Sequence, residues 1–448
     1  MGSEVLIGID VGTTAIKALA VSTAGQVLAE ASVGTPWRHD GPRADADPQD
    51  LADYSLAVCE KVATQASTDG HSPVRGVGVT GMAEAGVLID GMGRPCAPTL
   101  AWFDPRGDAA GLRERIAPAV FQRTTGRRLN SKPSIAKILW LHRHVPSSTA
   151  AVKHLSVAEW IVSSLGGDMV CEASLASRTG LMEISSRAPW IGASEIVGSL
   201  LPDRCIWAGE SAGRVRSDLS STLTGATLTV AGLDHQAAAL VLGAAQSGTL
   251  FDSMGTAEAL LRFVEPMSSD QTQRLTDDDI DVDWSVAPGL QVLLAGRLTG
   301  LSLERVAAML GADDRAKRSA LGEAATRTSR DGGPTVIDVS NDAIVLGGIT
   351  DGVSPALTWR AVVEDLTALT SEALNQMAAV AGPHARSVVA GGWSHNPMVV
   401  EAKETQLGDF RTADVDEAGA LGAAFLAGVA AGILSRPDSD GVARWTDM

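Results

Sequence analysis

Five short segments put acidic, hydroxyl-bearing or glycine residues where they could handle phosphate and hydroxyl groups. The first is Asp10-Val-Gly12-Thr13-Thr14. A glycine flanked by small hydroxyl residues lets backbone N–H groups and threonine hydroxyls approach phosphate oxygens, and Asp10, at a strand end, could hold Mg²⁺ or a Mg²⁺-bound water. An ordinary β-turn explains the same residues equally well. The second is Ser253-Met-Gly255-Thr256, which could clasp phosphates from the opposite side; two Gly-Thr turns in two similar hairpins say more than either one. The third is Val389-Ala-Gly391-Gly392-Trp-Ser-His-Asn396-Pro397, where a strand meets two glycines and a helix opens. Glycines there would let a flat ligand such as adenine lie on the backbone. Asn396 is a good N-cap, Pro397 a good first helical residue and Gly408 a helix stop, and this capping needs no ligand.

The fourth segment, Gly232-Leu-Asp234-His235, leads into the small-residue run AAALVLGAA. A carboxylate entering a helix could take the proton of an attacking hydroxyl, although helix capping alone accounts for an isolated Asp. The fifth pairs Thr80-Gly-Met82-Ala83-Glu84 with Ala101-Trp102-Phe103-Asp104-Pro-Arg106. Glu84 and Asp104 could accept hydrogen bonds from sugar hydroxyls beside Trp102 or Phe103; surface charges and a core tryptophan are the plainer alternative. Two look-alikes fail. Gly76-Val-Gly78-Val-Thr-Gly81 fits a dinucleotide fingerprint but is followed by a strand-like run rather than a helix, and His142-Arg-His144 lacks convergent acidic partners. A P-loop pattern is also missing.

These residues need elements to hold them. Val5–Asp10, Ile16–Val21 and Val27–Val33 read as three strands with tight turns, an antiparallel meander. Phe251-Asp-Ser-Met-Gly-Thr-Ala-Glu-Ala-Leu-Leu-Arg-Phe263 repeats the opening feature near mid-chain, which suggests a duplicated protein divided near residues 243 to 248 into halves of 1–244 and 245–448. Residues 50 to 70, 132 to 144 and 150 to 166 read as helices from their apolar spacing, as does Leu301–Leu310 with Leu303, Val306, Ala307 and Leu310 on one face. Glu265 to Asp283 reads as a solvated acidic loop. Ala418 to Leu434, rich in Ala and Gly, is too short and weakly apolar for a membrane span and reads as a buried helix.

The chain has 448 residues, 45% of them hydrophobic and 20% charged, enough for two globular domains. Its net charge of −17 argues against partners such as nucleic acid or anionic membranes. Four scattered cysteines and an N-terminus unlike a signal peptide fit a cytoplasmic protein with reduced thiols.

Taken in order, GIDVGTTAIK, TGMAEAGVLID, WFDPR, GLDHQAAA, DSMGTAE, AGGWSHNP and EAGALGAAFLAG resemble the FGGY family of carbohydrate kinases, across residues 8 to 428. The resemblance implies an α/β fold of two ribonuclease-H-like domains of the actin/hexokinase superfamily, with ATP, Mg²⁺ and a sugar or polyol in the cleft between them. It implies Asp234 as catalytic base and Asp10 with Asp234 as the Mg²⁺ partners. Gly12, Thr13, Thr14, Lys17, Gly255 and Thr256 match phosphate-side positions, and Gly300, Glu304, Gly391, Gly392 and Asn396 match nucleoside-side ones. Met82, Ala83, Glu84, Trp102, Asp104, Asp234 and His235 match the sugar side. A homodimer is a family-level expectation. Glycerol kinases resemble Arg-Glu at Ala83-Glu84 and xylulokinases Gln-Met-His at Met82-Ala-Glu84, and the second phosphate loop reads GTAE rather than GTS. The resemblance therefore names no single sugar.

Overall fold

Val5–Val11 (β1) is apolar on both faces, turns back through Gly12–Thr14 into Ala15–Ser22 (β2), and turns again into Val27–Gly34 (β3). Such a strand must lie mid-sheet, and it does. In the computed structural model, which describes residues 4–255, 257–340, 343–413 and 415–436, Val74–Gly81 (β4) lies parallel to β1 and Thr227–Leu233 (β5) parallel to β4. The sheet order is β5-β4-β1-β2-β3.

The second half repeats this plan. Thr249–Met254 (β6), Glu258–Val264 (β7), Asp281–Trp284 (β8), Gln291–Arg297 (β9), Arg386–Ala390 (β10) and Arg411–Ala413 (β11) form a sheet of order β8-β9-β7-β6-β10-β11. Without the edge strand β8, its pattern is that of the first sheet: an antiparallel meander followed by two parallel strands. The expected α/β fold with two ribonuclease-H-like sheets is the one observed.

Helices cover the sheets. Pro48–Thr68 (α1) lays Leu51, Ser55, Val58, Val62 and Ala66 against the first sheet, a spacing of three and four residues that gives one apolar face. Asp234–Val241 (α2) follows β5 directly, and Thr299–Met309 (α3), Pro355–Ala381 (α4) and Pro397–Leu407 (α5) belong to the second half. Ala418–Ala430 (α6) follows β11 yet packs on β1, β4 and β5 and on α2. That approach demands glycine in the sheet: a Cβ on Gly8 would fall 1.8 Å from the carbonyl oxygen of Ala420, and one on Gly78 2.1 Å from that of Ala423. The expectation of a buried helix over this segment therefore holds, and among the described residues no helix is long and apolar enough to cross a membrane.

Two expectations change. Residues 150 to 166 are not one helix: Ala151–Ser156 is a strand paired with Gly86–Asp90, and the helix starts at Val157 behind a Ser156/Glu159 capping box. Nor is Glu265 to Asp283 a solvated loop. Ser269–Asp277 is a helix with Thr272, Leu275 and Thr276 buried, and β8 follows it. All four cysteines are free thiols, with Cys171 and Cys205 opposite each other on two short parallel strands.

Candidate active site

At the end of β1, Asp10 has its Oδ1 shut off from solvent with no hydrogen-bond partner in the protein. Burial and then the neighbouring Asp234 carboxylate push its pKa up to about 8, against a smaller pull from Lys17. Lys17, across the hairpin from Asp10, is drawn toward Glu417 at 2.7 Å, the residue that precedes α6. Two close carboxylates, one with an orphan oxygen, make a place that a divalent cation would relieve. Among the described residues no group of three or more His, Cys, Asp or Glu forms a ready cation cage. Asp10 and Asp234 are the two residues that could hold a Mg²⁺, with ligand oxygens completing its shell.

The turn after Asp10 is held rigidly. Thr35 Oγ1 donates to the Gly12 carbonyl and Trp37 Nε1 to the Thr13 carbonyl, each at 2.8 Å. Thr35 N donates to the Thr14 carbonyl at 3.1 Å. Trp102 Nε1 donates to Thr13 Oγ1 at 2.8 Å, so the aromatic expected against a sugar also braces the first Gly-Thr turn.

Asp234 is the first residue of α2, not its cap; Leu233 takes the cap position. Its side chain keeps 24% exposure and its Oδ1 accepts from the His235 amide at 2.7 Å. The strand end that presents it is fixed from both sides. Thr80 Oγ1 donates to the Gly232 carbonyl at 2.7 Å, while Leu233 N donates to Ser174 Oγ at 3.0 Å. Ser174 Oγ in turn donates to Glu172 Oε2 at 2.6 Å. Ser174→Ala removes the strut from the residue before Asp234. We expect kcat to fall about fivefold, the effect of one hydrogen bond of ~1 kcal/mol felt at the transition state, with the nucleotide KM little changed. Steady-state kinetics checks it, and an equal fall in nucleotide affinity would assign Ser174 to folding instead.

Met82 and Ala83 are buried, and Glu84 sits at φ 58° with its carboxylate inside an ion network. Its Oε1 takes Arg127 at 2.7 Å and Arg178 at 2.6 Å. Those two arginines also reach β8, Arg127 to Asp281 at 2.5 Å and Arg178 to Asp283 at 2.6 Å. Burial alone would raise the Glu84 carboxyl, but Arg178 and then Arg127 outweigh it and hold it below the usual range. Asp104 is also committed: Oδ2 accepts from the Ala44 amide at 2.7 Å and from Arg106 at 2.7 Å, and Oδ1 accepts from the Arg106 amide at 2.8 Å. Beneath both segments the buried Lys137 donates to the Ala101 carbonyl at 2.6 Å and to the Glu84 carbonyl at 3.3 Å, and burial pulls its pKa down to about 7.

A second cluster forms on the other sheet. Gly391, at φ 103°, approaches the end of β6 so closely that a Cβ would lie 2.5 Å from the Met254 carbonyl oxygen, which puts the glycine turn beside Gly255. Gly392 follows in a short 3₁₀ turn. Asn396 caps α5 as expected, and its polar atoms are used within the protein: Oδ1 accepts from the Met398 and Val399 amides and from Trp359, and Nδ2 donates to the Arg318 carbonyl at 2.8 Å. Glu304 on α3 lies 3.6 Å from Arg318, and Gly300 is buried in the first turn of that helix. Thr256 lies outside the described residues.

The structure thus brings Asp10, Gly12, Thr13, Thr14, Lys17, Trp102, Asp234 and His235 to the ends of the first sheet, and Gly255, Gly391, Gly392, Asn396, Gly300 and Glu304 to the second. Sequence reasoning missed Arg127, Arg178, Lys137 and the carboxylates of β8. It also missed a buried triad under the second Gly-Thr turn, where Lys403 Nζ meets Asp252 at 2.7 Å and Glu258 at 2.6 Å. The one usable signal was a lone Lys inside the apolar helix SIAKILWL.

The family model for the N-terminal domain of the FGGY family of carbohydrate kinases matches residues 5–241. A glycerol kinase of Janthinobacterium sp. (strain Marseille) is 27% identical, over 96% of this chain and 90% of its own length. A xylulose kinase of Streptomyces rubiginosus is 30% identical over 69% of this chain and 63% of its own length. Among solved structures, xylulose kinase from Rhodospirillum rubrum superposes with a TM-score of 0.87 at 22% identity, covering 98% of this chain and 92% of that one.

Proposed function

Because the chain belongs to the FGGY family of carbohydrate kinases, we propose that it moves the γ-phosphoryl group of ATP to a hydroxyl of a small sugar or polyol, with Asp234 as general base. That it is a carbohydrate kinase follows from its family and from relatives named glycerol, xylulose and gluconate kinases. The finer assignment rests on one observation: a solvent-accessible Asp234 at the start of α2 stands beside Asp10, whose inner oxygen has no partner, at the foot of a braced Gly-Thr turn.

In this reading Asp234 accepts the proton of the attacking hydroxyl. Lys17 and the amides and hydroxyls of Gly12, Thr13 and Thr14 stabilise charge on the transferring group from one side, and Gly255 and Thr256 do so from the other. Mg²⁺, held by Asp10 and Asp234, supplies charge neutralisation on the phosphate oxygens when bound. Gly300, Glu304, Gly391 and Gly392 line the nucleoside side, while Asn396 acts through the turn it caps. Trp102 and His235 face the acceptor; Met82, Ala83, Glu84 and Asp104 shape the floor beneath it rather than offering free hydrogen-bonding groups. We place the division of the two domains after residue 244, between α2 and β6.

The deciding experiment is a coupled ADP-release assay with Mg-ATP and a panel of ketopentoses, deoxyhexuloses, tetritols, glycerol and aldonates. Strong stimulation by one member supports the proposal and names the acceptor. Hydrolysis of ATP that no member accelerates would point to an ATPase on the same fold.

A further inference from the structure

The segment that carries Trp102 and Asp104 continues as Pro105–Asp108, and behind it opens a pocket of ≈ 400 Å³. Its lining includes Arg43, Arg106, Asp108, Trp140, Arg143 and His144. Three guanidinium groups converge there on a chain whose net charge is −17. Each retains unused donors. Arg43 is exposed, and its guanidinium has no hydrogen-bond or ion-pair partner among the described residues. Arg106 spends Nε and Nη2 on Asp104 and Asp45, which leaves Nη1. Arg143 spends Nη1 on Asp108, which leaves Nη2.

One wall is flat and apolar. Trp140 stacks on His144 with ring centroids 4.3 Å apart and planes 14° apart, and the Arg106 guanidinium lies 5.3 Å from the Trp140 ring centroid. Forked donors match the oxygens of a phosphate in pairs, and the indole of Trp140 in the lining adds apolar surface for the carbon skeleton of an ester. Arg106 is balanced by Asp104 and Asp45, and Arg143 by Asp108, so the guanidinium left without a carboxylate among the described residues is that of Arg43.

We propose that this pocket is a binding site for a phosphate monoester, its phosphate held by Arg43 and Arg143 and its organic part against Trp140. The site lies outside the residues assigned to phosphoryl transfer. It is wired to them, however, because Arg106 joins the pocket to Asp104, and Trp102, two residues before Asp104, holds Thr13.

The test is isothermal titration of the full chain, without ATP or sugar, using glycerol 3-phosphate, a pentulose 5-phosphate and AMP, with inorganic phosphate as the bare anion. Arg43→Glu and Arg143→Gln are titrated alongside, and their unchanged melting temperatures show that they fold. Binding that weakens at least tenfold in both variants supports the site. The preferred probe tells a sugar phosphate from a nucleotide, and tight binding of inorganic phosphate alone would reduce the claim to an anion site and overturn the ester. No binding of any probe at 10 mM, or equal binding by wild type and both variants, overturns the proposal. A second readout rests on the kinase reading: the sugar KM should shift about threefold with the bound ester in wild type and stay fixed in Arg43→Glu. If the titration succeeds and the KM does not move, the link through Arg106 is wrong and the binding site stands.

Discussion

Asp234→Ala should lower kcat by ~10²–10⁴-fold, the range a positioned general base supplies, while the nucleotide still binds. Asp234 opens α2 with its side chain partly exposed, its strand end fixed by Thr80 and Ser174, and its Oδ1 oriented by the His235 amide. Asp10, by contrast, has an oxygen withdrawn from solvent and is poorly placed to meet a hydroxyl. Asp234→Asn keeps the shape and removes the basic lone pair, so it should fall about as far as Asp234→Ala. Single-turnover kinetics with nucleotide affinity measured in parallel separates the two effects. Near-full turnover by either variant would move the base elsewhere.

Arg178→Met should cost roughly 3–5 kcal/mol of stability, because it leaves buried carboxylates without their counter-charge. Arg178 is almost enclosed and bridges Glu84 to Asp283, which is itself fully buried. Arg127 remains, but it already serves Glu84 and Asp281. The exposed Arg75–Glu4 pair provides the control, since both side chains stay more than 40% exposed and Arg75→Met should move the urea midpoint little. If Arg178→Met unfolds at the wild-type midpoint, the network is not what ties β8 to the first half of the chain.

What could be read from the sequence was mostly local. The opening meander, the Asn396 cap with Pro397 and Gly408, and the apolar face of α3 each depend on residues within a few positions of one another, and each is found. The duplication was visible only as a short echo of Asp and Gly-Thr, yet the two sheets share their strand plan. The failures share one cause. Ala151–Ser156 is a strand because Gly86–Asp90, some sixty residues earlier, offers it a partner. Asp281 and Asp283 read as solvated charges because their arginines lie more than a hundred residues upstream. Lys403 likewise meets its partners, Asp252 and Glu258, across some 150 residues of sequence. Within the site, the acidic residue at Glu84 was legible, but nothing nearby told that two arginines would claim it.

The resting place of α6 has a further consequence, in the order of synthesis. Gly8, Gly76 and Gly78 leave a smooth strip on the first sheet whose cover, Ala420 to Ala427, is encoded some 350 residues after Gly78. At roughly 5–20 residues per second, that strip leaves the ribosome on the order of 20 to 70 seconds before its cover exists. During that interval the nascent first half carries an open apolar strip. A fragment cut after residue 244 would keep that strip permanently, so the two halves of this duplicated plan are partners in folding and not independently portable parts.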